Sequence, residues 1–194
     1  MRGEKIVVGI TGVPCTGKTT FSKRTASRCD AVDVIEINDV VEKYHTFSRK
    51  DEAGARIVNL GALTRRLRME IGARRGRLVL VVGHLAQEVG VGYDLAIVLR
   101  LGLKDLGRRM ENRGYPVGKI RENLVAEALD YCGVNMAARC KIVFEVETAR
   151  ERDRASRYLI ALARGVPARA PRRRAINKME DIIKLVENGN KYGL

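Results

Sequence analysis

Lys5-Ile-Val-Val-Gly-Ile10, followed by Gly12-Val-Pro-Cys-Thr-Gly-Lys-Thr19, is the stretch on which the fold turns. An apolar, β-branched run leads into the pattern G-x-x-x-x-G-K-[ST], and a helix-compatible segment, Thr20-Phe-Ser-Lys-Arg-Thr-Ala26, follows. The order matters more than the match. A buried strand delivers a glycine-rich turn to a helix N-terminus, where backbone N–H groups and the helix dipole attract phosphate. Lys18 is then the residue that bridges β- and γ-phosphates, and the Thr19 hydroxyl the one that holds Mg²⁺. The chain reads as nucleotide-binding.

Outward from the loop, apolar runs alternate with helical patterns. Val32–Ile37, Arg77–Val82, Leu95–Leu99 and Lys141–Val146 read as four further strands. Their unbroken Val/Ile/Leu character, rather than strict alternation, predicts a five-stranded parallel sheet covered by helices on both faces. Helices are expected over 18–28, 57–74, 103–112, 118–139 and 150–163. The stretch Gly165-Val-Pro-Ala-Arg-Ala-Pro-Arg-Arg-Arg174 reads as a basic linker, and an amphipathic helix over about 176–188 ends the chain. A length of 194 residues suits one α/β domain, here 1–164, followed by linker 165–175 and tail 176–194. Lys or Arg interrupts every apolar run before it reaches membrane-span length, and no signal-peptide pattern opens the chain, so a cytoplasmic protein without a membrane partner is expected. Cys15, Cys29, Cys132 and Cys140 form no C-x-x-C pair and read as reduced, mostly buried thiols.

Charge is the second signal. Lys and Arg total 37 against 23 acids, a net charge of +14. Arginine outnumbers lysine by more than two to one and clusters at Arg65-Arg66-x-Arg68, at Arg74-Arg75-x-Arg77, and from Arg164 to Arg174. A heat-adapted surface rich in ion pairs would be balanced, and this one is not. Such a surface implies an anionic neighbour of the nucleic-acid or ribonucleoprotein class.

In doubly wound sheets ligands bind beyond the carboxyl ends of the strands. Asn38-Asp39 closes the second strand and a polar stretch, Tyr44 to Gly54, follows. This insertion, about 38–60, suits a flap over a phosphoryl acceptor. Further on, Arg108-Arg109-Met-Glu-Asn-Arg113-Gly-Tyr-Pro-Val-Gly118 joins two helices by a short turn. Its arginines suit a lid, about 112–122, that closes over a triphosphate.

The phosphate loop, Arg113-Gly-Tyr115 after an amphipathic helix, and His84 just past the third strand together resemble the adenylate kinase isoenzyme 6 family over roughly residues 5–164. The most specific stretches are Tyr93 to Arg100 and Met110 to Leu124. The resemblance implies a P-loop NTPase of the nucleoside-monophosphate-kinase-like fold with adenylate kinase and ATPase activity, and ATP and Mg²⁺ as cofactors. It further implies AMP as acceptor and a role in small ribosomal subunit maturation beside a small-subunit ribosomal protein and rRNA. It places ATP phosphates on Cys15, Gly17, Lys18, Thr19 and Thr20, in a loop that also holds Gly12 and Thr16. Arg113 becomes the lid arginine, Arg150 a contact to the ATP base or ribose, Asp39 an acid of the acceptor flap, and His84 a candidate catalytic residue, which either orients an attacking water or bonds a backbone group.

Two departures stand out. Cys15 occupies a position where many members of that family have glycine. The family carries Asp-x-His after the third strand, whereas here the residues are Val82-Gly83-His84, with Glu88 or Asp39 as candidate substitutes. Three readings stay open: a kinase moving the γ-phosphoryl of ATP to AMP, a nucleotide-switched ribosome-assembly ATPase, and another small-molecule kinase on the same fold.

Overall fold

The computed structural model describes residues 5–50 and 56–171, together with 176, 178, 180, 181, 183 and 192. Strand β1 (Ile6–Thr11) runs into the loop and helix α1 (Lys18–Ala26). Strand β2 (Val32–Glu36), helix α2 (Ile37–Lys43), strands β3 (Phe47–Lys50) and β4 (Arg56–Val58), and helix α3 (Leu60–Ala73) follow. After them come β5 (Leu78–Val82), β6 (Leu95–Leu99), α4 (Leu103–Glu111), α5 (Val117–Ala128), α6 (Tyr131–Ala137), β7 (Val143–Val146) and α7 (Ala149–Arg164). The five-stranded sheet has the order β2-β5-β1-β6-β7, and every pairing in it is parallel. β1 therefore lies at the centre, so the loop after it opens at the middle of the strands' carboxyl edge.

Both faces of the sheet are buried, which is why its strands read as continuous apolar runs. On one face Val8, Ile10, Leu80, Val82, Ile97 and Leu99 pack under Phe21 of α1 and Ala155, Leu159 and Ala163 of α7. On the other, Val79, Val81, Ala96 and Val98 meet Leu63 and Leu67 of α3, Leu106 and Met110 of α4, and Leu124 and Met136 of α5 and α6. The side-chain period of two divides each strand between these layers.

The expected five-stranded parallel sheet is present, and the segment between β2 and β5 is richer than anticipated. The second strand stops at Glu36, because Ile37, Val40 and Val41 bury one side of a short helix at the spacing of α-helical neighbours. The expected flap, about 38–60, contains an antiparallel β3–β4 pair. The helix expected from 57 starts at Leu60, where Asn59 caps it by accepting from Ala62 N at 2.9 Å. The helix expected over 118–139 is two, broken at Asp130, whose φ of 54° lies in the left-handed region. Its carboxylate accepts from Gly133 N and pairs with Arg100 Nη1 at 2.6 Å. A Cβ at Gly133 would lie 2.4 Å from that carboxylate, so glycine is what lets Asp130 fold over the new helix. Most of the expected helix 176–188 lies outside the described residues, as do Arg172, Arg173 and Arg174.

Candidate functional site

The loop between β1 and α1 curls because three of its residues take positive φ: Gly12 at 137°, Cys15 at 68° and Gly17 at 94°. Gly12 passes so close beneath β6 that a Cβ there would sit 2.4 Å from Leu99 O. Cys15 holds a left-handed conformation that suits glycine better, and its side chain is buried. Thr16 Oγ1 donates to Val13 O at 2.9 Å and ties the turn. Helix α1 then starts with no side-chain cap and no acidic residue in its first turn. Its N–H groups and positive dipole end are left to whatever enters the loop.

Lys18, Thr19, Glu36, His84 and Arg113 converge on a cavity of about 260 Å³ at this point, with Gly17, Thr20 and Tyr115 among its other walls. Lys18 Nζ is folded back, donating to Gly12 O at 2.7 Å and Val13 O at 2.9 Å. Burial pulls its pKa down to about 8, against the partial support of nearby acidic groups. Crowding by the protein, and secondarily the Lys18 ammonium, hold the His84 imidazole below its ordinary value. The His84 segment is pinned from behind, because buried Gln87 accepts from the Thr11 hydroxyl and donates through Nε2 to His84 O at 2.6 Å. Arg113 Nη1 lies 3.6 Å from Cys15 Sγ, and Arg109 Nη1 lies 3.4 Å from Cys15 O. Both come from α4 and the turn after it, where Gly114 at φ 70° reverses the chain.

Two of the expected residues fall elsewhere. Arg150 points into a different cavity, with Glu145, Glu151, Arg154 and Pro171, away from the loop. Two positions on, Arg152 is the one that reaches it, donating from Nη1 to Thr16 O at 2.9 Å and from Nη2 to Arg100 O at 2.7 Å. The helical turn of α7 selects 152 over 150, since successive helix positions rotate by about 100°. Asp39 is exposed in the first turn of α2 and does not line the loop cavity. Glu36, which the sequence reading passed over, does. The Thr19 side chain acts on its carboxyl as a hydrogen-bond donor, while burial raises its pKa despite that bond. Its signal was an acid at the carboxyl end of a buried parallel strand.

There are two further clefts. One, of about 270 Å³, lies between α1 and α7 and is lined by Thr20, Phe21, Arg24, Arg109 and Arg152. The other, of about 460 Å³, lies between the β3–β4 segment and α3, with Tyr44, Thr46, Asn59, Arg65 and Arg66 on its walls. Arg66 stacks its guanidinium over the Tyr44 ring at 4.7 Å. Among the described residues no helix is long and apolar enough to cross a membrane, and no three His, Cys, Asp or Glu side chains cluster as metal ligands. All four cysteines are free and buried.

A family model described as an AAA domain matches residues 8–130, from β1 to the end of α5. The curated relatives include the "Putative adenylate kinase" of Methanosarcina barkeri, 36% identical over 144 residues, covering 74% of this chain and 77% of that protein. The protein of the same name from Methanocaldococcus jannaschii is 32% identical, covering 73% of this chain and 76% of its own. Among solved structures, a shikimate kinase from Acinetobacter baumannii in complex with shikimate aligns over 84% of this chain and 95% of its own, at 13% identity and a TM-score of 0.55. The tunicamycin resistance protein of Deinococcus radiodurans aligns over 87% of this chain and 100% of its own, at 15% identity and a TM-score of 0.52. Such distant likeness bears on fold, and the fold agrees. The chain belongs to the AAA-domain family and, within it, to the archaeal proteins that carry the adenylate kinase name.

Proposed function

From that membership we propose that the chain is a nucleoside monophosphate kinase that moves the γ-phosphoryl group of ATP to AMP. The observation that carries the reading is the convergence of Lys18, Thr19, His84 and Arg113 on one cavity at the N-terminus of α1. Phosphate entering the loop takes the N–H groups of the first helical turn and competes for Lys18 Nζ, which leaves its carbonyl partners for a charged ligand. Arg113 and Arg109 stand on the opposite side, ready to meet the charge that spreads over the transferring group. Among the described residues each meets the loop through one long contact to Cys15, so little has to be broken for it to engage. His84, held neutral, suits orienting a nucleophile at the cavity mouth. Thr19 is exposed beside the orphaned Oε1 of Glu36, a donor set that fits Mg²⁺. Thr19 and Glu36 would hold the metal there, and it would supply positive charge against the charge that develops on the transferring phosphoryl group.

The cleft beside α3 suits the acceptor, since Arg65 and Arg66 supply cations for one phosphate and Tyr44 an aromatic face. The cleft between α1 and α7, with Arg109 and Arg152, suits the base and ribose of ATP. Formation of ADP from ATP and Mg²⁺ with and without AMP, on protein stripped of nucleic acid, tests the reading. Strong AMP dependence is expected; hydrolysis indifferent to AMP would overturn the kinase in favour of an ATPase. The net charge of +14 favours one companion role: turnover coupled to maturation of the small ribosomal subunit, with rRNA and a small-subunit ribosomal protein as partners.

A further inference from the structure

We propose that Glu36 supplies the protein carboxylate that holds hydrated Mg²⁺ against Thr19, a role moved one strand outward from β5 to β2. The inference rests on the nucleotide-binding reading of the same loop. P-loop sites pair the loop hydroxyl with an acid from a nearby strand end. Here β5, the strand beside β1, cannot provide one. Val82 is fully buried, packed in the layer with Phe21 and Leu159. Any side chain at Gly83 would put its Cβ 2.9 Å from Ile37 Cβ. Glu36 pairs in parallel register with Val82, and residues in register leave a sheet on the same face. Its side chain therefore rises on the face covered by α1, where Thr19 meets it.

Three observations single it out. Glu36 is the one carboxylate among the described residues that line the loop cavity. Its Oε1 is buried and makes no hydrogen bond among them, an arrangement that costs free energy unless a ligand completes it. The other candidates are committed or displaced: Glu88 accepts from the Tyr131 hydroxyl at 3.0 Å, and Asp39 lies outside the cavity. Mg²⁺ keeps several waters when it binds beside phosphate, so one carboxylate and one hydroxyl suffice from the protein.

The test titrates Mg²⁺ into the full chain carrying a fluorescent ATP analogue, for the parent protein, Glu36→Gln and Glu88→Gln. In EDTA the analogue should bind all three alike. The Mg²⁺ concentration for half-maximal effect should rise about 10-fold or more in Glu36→Gln, the range seen when metal-supporting groups are removed, and stay put in Glu88→Gln. Mn²⁺ affinity of the nucleotide complex, read by paramagnetic resonance, should fall in the same variant alone. An unchanged metal dependence in Glu36→Gln, or an equal loss in Glu88→Gln, overturns the inference. Absence of nucleotide binding by the parent protein in EDTA and Mg²⁺ alike overturns instead the nucleotide-binding reading.

Discussion

With its Nζ turned onto Gly12 O and Val13 O, Lys18 is a buried cation, held at an energetic cost that pH exposes. Its folded-state pKa of about 8 lies below the ordinary 10.5, so between those values the unfolded chain binds more protons than the folded one. The Lys18 contribution to stability without nucleotide should therefore rise as pH goes from 8 to 10.5, by at most about 3 kcal/mol. In thermal melts across that window, the stability difference between the parent protein and Lys18→Met should shift in the parent's favour as pH rises; a constant difference would remove the argument. Lys18→Ala should also lower turnover by about two orders of magnitude or more, since a preorganised charge beside the transferring group is lost. Full activity in that variant would remove the loop from the chemistry. Cys15 offers a contrast. Glycine would fit its φ of 68° better, yet its sulfur lies against Arg113, so the side chain has a contact that glycine lacks.

At the scale of elements, α7 fixes the sheet from the side that carries α1. Leu159 is fully buried against both, and Leu159→Ala should cost about 2–5 kcal/mol, read as a shifted urea midpoint with an unchanged m-value. Gly133→Ala should cost more than its change in helix propensity, because the new methyl would displace Asp130 from both the α6 N-terminus and Arg100. Circular dichroism melts of this variant against Gly72→Ala, at a helical glycine with open space around it, separate the two effects. These elements also mark what the sequence could reveal. The strands and their parallel pairing were legible because burial on both faces leaves apolar runs without alternation. The loop was legible because its chemistry is local. The break at Asp130 was not, since its cause is Arg100, thirty positions away in sequence. Nor was Arg152 over Arg150, a choice made by helix phase against a loop more than a hundred residues earlier. Glu36 escaped because its neighbour Val82 belongs to another strand, and only the register joins them.

Taken as a whole, the molecule is a strong cation whose arginines lie on several elements, so the RNA binding proposed for it should weaken steeply with salt. Neutralising Arg65, Arg66 and Arg68 should reduce the salt slope of RNA binding by roughly one unit per lost phosphate contact, checked by filter binding across salt concentrations. An unchanged slope would leave Arg65 and Arg66 to the acceptor cleft and Arg68 to its bond with Gly90 O. The interior behind the loop has its own electrostatics. Buried Arg100 gathers Glu127, Asp130 and Glu145, and Arg152 links its carbonyl to the loop. Lys178 completes this interior from the far end of the chain, donating to Leu101 O at 2.6 Å and pairing with Glu147 and Glu127. That has a consequence for the order of events during synthesis. Until residue 178 emerges, Glu147 and Glu127 lack this ammonium and Leu101 O its donor, so the domain that reads as complete at Arg164 should be less stable than the full chain. The nascent protein should remain more protease-sensitive until its tail emerges than it is afterwards.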